Sequence, residues 1–131
     1  MAFYLDTSAL VKLVVAEPES AALRAWAVER TSPLVTSDLA RTELLRAVRR
    51  AAPDRLRLAR EVLDALVLVT LAASDYEQAA RLDPIELRTL DALHLAAALR
   101  LGDDLEGIVA YDARLGRAAG GLGLAVVAPR T

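Results

Sequence analysis

Cysteine is absent from this chain. That excludes disulfides and thiolate metal sites, and it fits a reducing, cytoplasmic compartment. Aromatic residues make up only 4% of the sequence against 55% hydrophobic residues overall, so the core must be built from Leu, Val and Ala. Ala and Leu suit helices, where they lose little conformational entropy. No apolar run approaches the roughly 18 residues needed to cross a bilayer. The first residues lack a basic stretch followed by a long apolar one, so neither a secretory signal nor membrane association is expected. Neither sign of charge dominates, with 16 basic residues, 18 acidic ones and a formal net charge of −2. The balance gives no global pull toward nucleic acid. Any attraction to a polyanion must come from local arginines and bound cations. Lys12 is the only lysine and His94 the only histidine. The abundance of Arg, Ala and Leu is also what a GC-rich genome yields, so composition by itself identifies no ligand.

What is present reads as one domain spanning residues 1–131. Phe3-Tyr4-Leu5, Leu34-Val35-Thr36, Val67–Leu71, Ile108-Val109-Ala110 and Leu124–Val127 are short apolar runs that predict strands. Between them lie helical segments: Ser8–Val15, Glu19–Arg30, one running to about Ala51, Leu56–Leu66, one capped by Ser74 or Asp75, Thr89–Arg100 and Asp112–Ala119. Thr7 or Ser8 is available to cap the first, and Ser37 or Asp38 the third. Short, continuously apolar strands separated by helices predict an α/β fold with three layers, α/β/α, and a parallel, roughly five-stranded central sheet. Two helices lie between the second and third strands as an added hairpin.

Four acids occupy informative places. In open parallel sheets, ligands collect at the carboxyl ends of strands. Asp6 follows the first strand and Asp112 follows the fourth, so both should face one crevice. Asp91 sits in the first turn of its helix, where the helix dipole tolerates an anion. Glu43 lies within the helix after the second strand. Any one of these has an ordinary reading as a cap, turn or solvated residue. Asp91 and Glu43, however, are set in apolar sequence, where an unpaired charge is costly. Carboxylates sharing a pocket repel, and a divalent cation compensates them. An all-oxygen donor set selects Mg²⁺ or Mn²⁺ over Zn²⁺.

Four motifs resemble a known family. Tyr4-Leu5-Asp6-Thr7-Ser8-Ala9-Leu10 resembles the opening of PIN domains, especially VapC-type toxins. Thr36–Leu44, Leu90–Ala98 and Tyr111–Leu115 resemble the family's second, third and fourth acidic motifs. Together they run in register along essentially the whole chain. The resemblance implies a PIN fold and a divalent-metal-dependent endoribonuclease that hydrolyses RNA phosphodiesters. It carries over Asp6, Glu43, Asp91 and Asp112 as the catalytic and metal-binding acids, with Asp6 and Asp91 as the closest ligands. Ser8 and Thr7 would support them by hydrogen bonding. It further implies the toxin of a toxin–antitoxin pair, a small cognate antitoxin whose tail covers the crevice, and a homodimer. The chain departs from the family at Ala110, where many members have Thr or Ser. That loss of a hydroxyl weakens the expected hold on Asp112.

Other features have plainer readings. His94 sits one turn after Asp91 and reads as a helix-packing or interface residue. Lys12 reads as solvated or salt-bridged. Arg41, Arg46, Arg49 and Arg50 form a basic run suited to an RNA backbone, to solvent, or to an acidic partner segment. Trp26 and Tyr76 read as core or interface, Asp38 as a cap, and Asp103 and Asp104 as turn residues. Leu10, Leu13 and Val14 fit either a dimer surface or the core. Two other functions compete. One is a non-catalytic module of the same fold that binds RNA or protein. The other is a haloacid-dehalogenase-like phosphatase using Asp6 as nucleophile, although Ser8 stands where that class wants a second Asp. A receiver-like phosphorylation module lacks its lysine after a late strand.

Overall fold

Side chains alternate between the two faces of a strand, and the first strand, β1 (Ala2–Leu5), divides its residues between two separate cores. Ala2 and Tyr4 join one cluster, Phe3 and Leu5 the other. All four are buried. Both faces of the sheet are therefore covered. That explains the unbroken apolar strand sequences.

The computed structural model describes residues 1–130. After β1 come helices α1 (Thr7–Val14) and α2 (Ser20–Val28), strand β2 (Leu34–Ser37), helices α3 (Leu39–Ala51) and α4 (Leu56–Ala65), and strand β3 (Val67–Val69). Helices α5 (Ala73–Ala80) and α6 (Thr89–Leu99), strand β4 (Leu105–Val109), helix α7 (Ala113–Gly121) and strand β5 (Val126–Val127) complete it. The strands form one five-stranded sheet in the order β3-β2-β1-β4-β5, with every neighbouring pair parallel. Helices α1 to α4 cover one face, through residues such as Leu10, Leu23, Leu44 and Leu63. Helices α5, α6 and α7 supply Ala79, Leu95 and Leu115 to the other. This is the expected three-layer α/β/α arrangement.

The chain leaves β1 toward β2 and β3, and later returns to place β4 on the opposite side of β1. Such a reversal opens a crevice beyond the carboxyl ends of the strands that flank it. Asp6 and Asp112 follow β1 and β4 at that place.

Several local expectations are corrected. Neither Thr7 nor Ser8 caps α1; Asp6 does, accepting from the Ala9 backbone N–H. Ser37 is the last residue of β2, and Asp38 occupies the cap position of α3 without a side-chain capping bond. The cap position of α5 is Ala72, and Asp75 reaches back from the first turn to accept its N–H at 2.8 Å. The third strand stops at Val69 and the fifth spans only Val126–Val127. Leu10 and Val14 are core residues, almost fully buried. Trp26 packs edge-on against Phe3, with ring centroids 4.8 Å apart, whereas Tyr76 is exposed. Asp103 and Asp104 lie in the short 3-10 turn Gly102–Asp104. Gly102 enters that turn at φ +55°, a backbone setting that favours glycine.

Candidate active site

Asp6 is fixed from three directions. Its backbone N–H donates to the Val109 carbonyl at 3.1 Å, joining the end of β1 to β4. Its Oδ1 accepts from the Ala9 N–H at 3.0 Å and from the Ser8 hydroxyl at 2.6 Å. The same Ser8 oxygen accepts from the Tyr111 N–H at 3.0 Å. Ser8 thus links Asp6 to the segment that carries Asp112. Asp6 is only 4% exposed. Burial pushes its carboxyl up from 3.8 to about 6, and the charge of Asp91 adds to the rise. The bonds from Ser8 and Ala9, and the nearby His94, oppose it.

Glu43 is held differently. It projects from α3, half-buried, and its Oε1 accepts from the Thr7 hydroxyl at 2.9 Å. The same oxygen lies 2.6 Å from His94 Nε2. The other ring nitrogen of His94, Nδ1, lies 2.7 Å from the Tyr4 hydroxyl, which is also hydrogen-bonded to the Ser37 hydroxyl at 3.0 Å. Burial pushes the Glu43 carboxyl up, but the bonds from His94 and Thr7 and the His94 charge outweigh it and leave it lowered.

Sequence reasoning missed this role of His94. The packing half of the expectation holds, since the ring meets Tyr4 at 5.8 Å between centroids. The interface half does not, because His94 is 2% exposed and out of a partner's reach. The available signal was its setting. In α6 every residue from Ala92 to Ala98 is buried, and a polar ring in such a stretch requires polar partners.

Asp91 and Asp112 form the open side. Asp91 lies in the first turn of α6. Burial raises its carboxyl, and the charges of Asp112 and Glu43 raise it further, against His94 and Arg88. Asp112 is exposed and caps α7, accepting at Oδ1 from the N–H groups of Arg114 and Leu115 at 2.8 and 3.1 Å. Ala110 is buried and offers no hydroxyl; the start of α7 holds Asp112 instead. Charge links the four acids: Asp91 feels Asp112 and Glu43, and Asp6 feels Asp91.

The donor set suits a hard divalent cation, being all oxygen. Asp6, Glu43 and Asp112 each direct their hydrogen bonds to a single carboxylate oxygen, which leaves the second oxygen of each outside the hydrogen bonds found among the described residues. Among the described residues no three Asp, Glu or His side chains stand close enough to hold one ion together. The fit is therefore to an ion taking one or two carboxylates directly and completing its shell with water and substrate, as Mg²⁺ commonly does.

Asp91 also lines a cleft of about 650 Å³ between the α5–α6 connection and α7. Its walls carry Arg81, Arg88, Arg114 and Arg117, and Leu82, Leu87, Ala118 and Leu122 add apolar surface. These arginines come from separate segments and form no run in the sequence. The run that sequence does show behaves otherwise. Arg46, Arg49 and Arg50 flank a recess of about 240 Å³ that none of the four acids lines. Lys12 pairs with Glu17 and Glu19 at 3.4 and 2.7 Å. Among the described residues no helix is long and apolar enough to cross a membrane.

Comparison with known proteins extends these observations. The family model for the PIN domain matches residues 3–121. Ribonuclease VapC46 of Mycobacterium tuberculosis is 48% identical over 128 residues, covering 98% of each chain. The crystal structure of Mycobacterium tuberculosis VapC20, a toxin that cleaves the sarcin-ricin loop, superposes with a TM-score of 0.78. It is 19% identical and covers 97% of this chain and 99% of its own. The structure of VapBC2 from Rickettsia felis, bound to a promoter DNA fragment, gives a TM-score of 0.69 at 15% identity, with 98% and 99% coverage.

Proposed function

We propose, from the premise that this chain belongs to the PIN-domain family and within it to the VapC ribonucleases, that it is a Mg²⁺- or Mn²⁺-dependent endoribonuclease. The reading is carried by like charge shared among four acids from separate segments: Asp112 and Glu43 raise the Asp91 carboxyl, and Asp91 in turn raises that of Asp6. The reaction is hydrolysis of an RNA phosphodiester. A water oxygen bonds to phosphorus and gives up a proton, the bond from phosphorus to one ribose oxygen breaks, and that oxygen takes up a proton.

Asp6 and Asp91 would hold the divalent ion, with Glu43 and Asp112 shaping the site around it. Such an ion would supply polarisation of the phosphate and a lowered pKa for the attacking water. The protein's own contribution is positioning. Ser8 and the Ala9 N–H aim Asp6 into the crevice. Thr7 and His94 aim Glu43. Arg88 and Arg114 border Asp91 in the cleft and bind the phosphates flanking the scissile one, where a planar guanidinium can pair two oxygens. This keeps RNA near an acidic site in a chain of net charge −2.

The biological setting belongs to the same proposal: a toxin working in the cytoplasm as a homodimer, restrained by a small antitoxin that covers the crevice. A fold shared with the VapBC2 assembly supports the antitoxin. Purified protein should cut RNA with Mg²⁺ or Mn²⁺ and stop when a chelator is added. Asp6→Asn should lower the rate by about 10³-fold, comparable to the largest losses seen when one charge-stabilising group is removed. Equal cleavage with chelator, or by Asp6→Asn, would refute the reading.

A further inference from the structure

We infer that His94 is a positioning residue for Glu43: its Nε2–H anchors one carboxylate oxygen so that the other faces the crevice. As hydrogen-bond geometry this stands on the structure; as a contribution to metal binding it rests on the function proposed above.

Direction of the bond follows from its acceptor. His94 Nε2 lies 2.6 Å from Glu43 Oε1, an oxygen that already accepts the Thr7 hydroxyl. A bare Nε2 would set its lone pair against a carboxylate lone pair, so Nε2 carries the proton. Thr7 Oγ1, 3.2 Å from the same nitrogen, offers that proton a second acceptor. The ring in turn is fixed at its far nitrogen by Tyr4, which is fully buried and bonded to Ser37. The anchor therefore begins in β1 and β2, passes through α6, and ends on α3.

A free Glu side chain turns about several bonds, and ordering it costs rotamer freedom. Glu43 also stands within range of the charge of Asp91, which would drive a free carboxylate away. The two bonds on Oε1 oppose that drift. A group held this way prepares a site in advance, as outer partners of metal ligands do.

Because His94 is the only histidine, its ring nitrogens give unambiguous ¹⁵N signals. The test compares wild type with His94→Gln, whose amide nitrogen reaches the place of Nε2, and His94→Asn, whose amide reaches only that of Nδ1. Three quantities are measured: the imidazole ¹⁵N spectrum of metal-free wild type, the Mn²⁺ dissociation constant by calorimetry, and the melting temperature. We expect a protonated Nε2. Mn²⁺ binding should weaken about 10- to 100-fold in His94→Asn and stay within about threefold of wild type in His94→Gln, at matching melting temperatures. An unprotonated Nε2 overturns the inference. So does unchanged Mn²⁺ affinity in His94→Asn, or an equal loss in both variants that follows their melting temperatures. If Nε2 is protonated but wild type binds no Mn²⁺, the anchoring of Glu43 is upheld and the metal-dependent function is what fails.

Discussion

Asp91 lies within range of the charge of Glu43, yet the two carboxyls have opposite electrostatic fates. Glu43 has two side-chain partners on one oxygen, and its carboxyl is lowered. Asp91 is half-buried, faces the charges of Asp112 and Glu43, and its carboxyl is raised. Asp6 combines both situations. Two bonds hold it, yet burial and Asp91 still lift it to about 6. The contrast separates acids satisfied by the protein from acids left for something else to satisfy. Positioning and charge compensation are divided between the two sides. The α3 side is preorganised by hydrogen bonds. The α6–α7 side retains repulsion, which a bound cation would relieve.

Substitutions that exchange the two fates should move stability in opposite directions. The largest effect is expected at Asp6. Raising its carboxyl from 3.8 to about 6 costs the folded state about 3 kcal/mol at pH 7. The sign follows from the raised value. The contribution of Asp6 to stability is fully present below 3.8 and is lost as pH climbs through about 6. Asp6→Asn keeps an oxygen for Ala9 and Ser8 and removes the charge. In chelator at pH 7 it should be more stable than wild type by an amount approaching that figure, and the two should converge near pH 4. Denaturant unfolding at both pH values checks this, and a destabilised Asp6→Asn protein at pH 7 would erase the contrast.

Glu43→Ala should act the other way. It deprives His94 Nε2 and the Thr7 hydroxyl of their carboxylate, at a cost of about 1–3 kcal/mol for polar groups losing a charged partner. Because the Glu43 carboxyl is lowered, its contribution is present above the ordinary carboxylate value and is lost as pH falls through the lowered one. The gap between wild type and Glu43→Ala should therefore narrow in acid. A chemical melt across pH would show it, and a gap that widens in acid would break the comparison.

A smaller effect is expected at the cleft. Arg114→Ala should weaken RNA binding and reduce the steepness of its salt dependence by about one phosphate contact, without altering the melting temperature. Arg49→Ala, on the recess away from the acids, should change neither. Salt titrations of RNA affinity for both variants would sharpen the comparison. Equal effects would assign the strand to both surfaces.

How far the sequence reads ahead of the structure depends on the range of the interaction. The strands and helices follow from local apolar pattern, so the layered fold and parallel sheet are legible. Asp6 and Asp112 are legible too, because a strand end fixes their place whatever surrounds it. Caps are less so. Asp6, Thr7 and Ser8 all carry capping oxygens, and the strand end decides that Asp6 takes the position. His94 and the cleft arginines depend on contacts across the fold. His94 meets Glu43 across 51 residues and Tyr4 across 90, and the arginines converge from segments with no shared pattern. Such meetings require the sheet order, which no local signal specifies.

A divalent cation would relieve the repulsion that raises these acids. The melting temperature of wild type and Asp6→Asn at pH 7, in chelator and then in Mn²⁺, tests this. Mn²⁺ is expected to raise the wild-type melting temperature, Asp6→Asn to melt higher than wild type already in chelator, and Mn²⁺ to add little to it. A wild type indifferent to Mn²⁺, or an Asp6→Asn protein that gains as much from Mn²⁺ as wild type does, would contradict this.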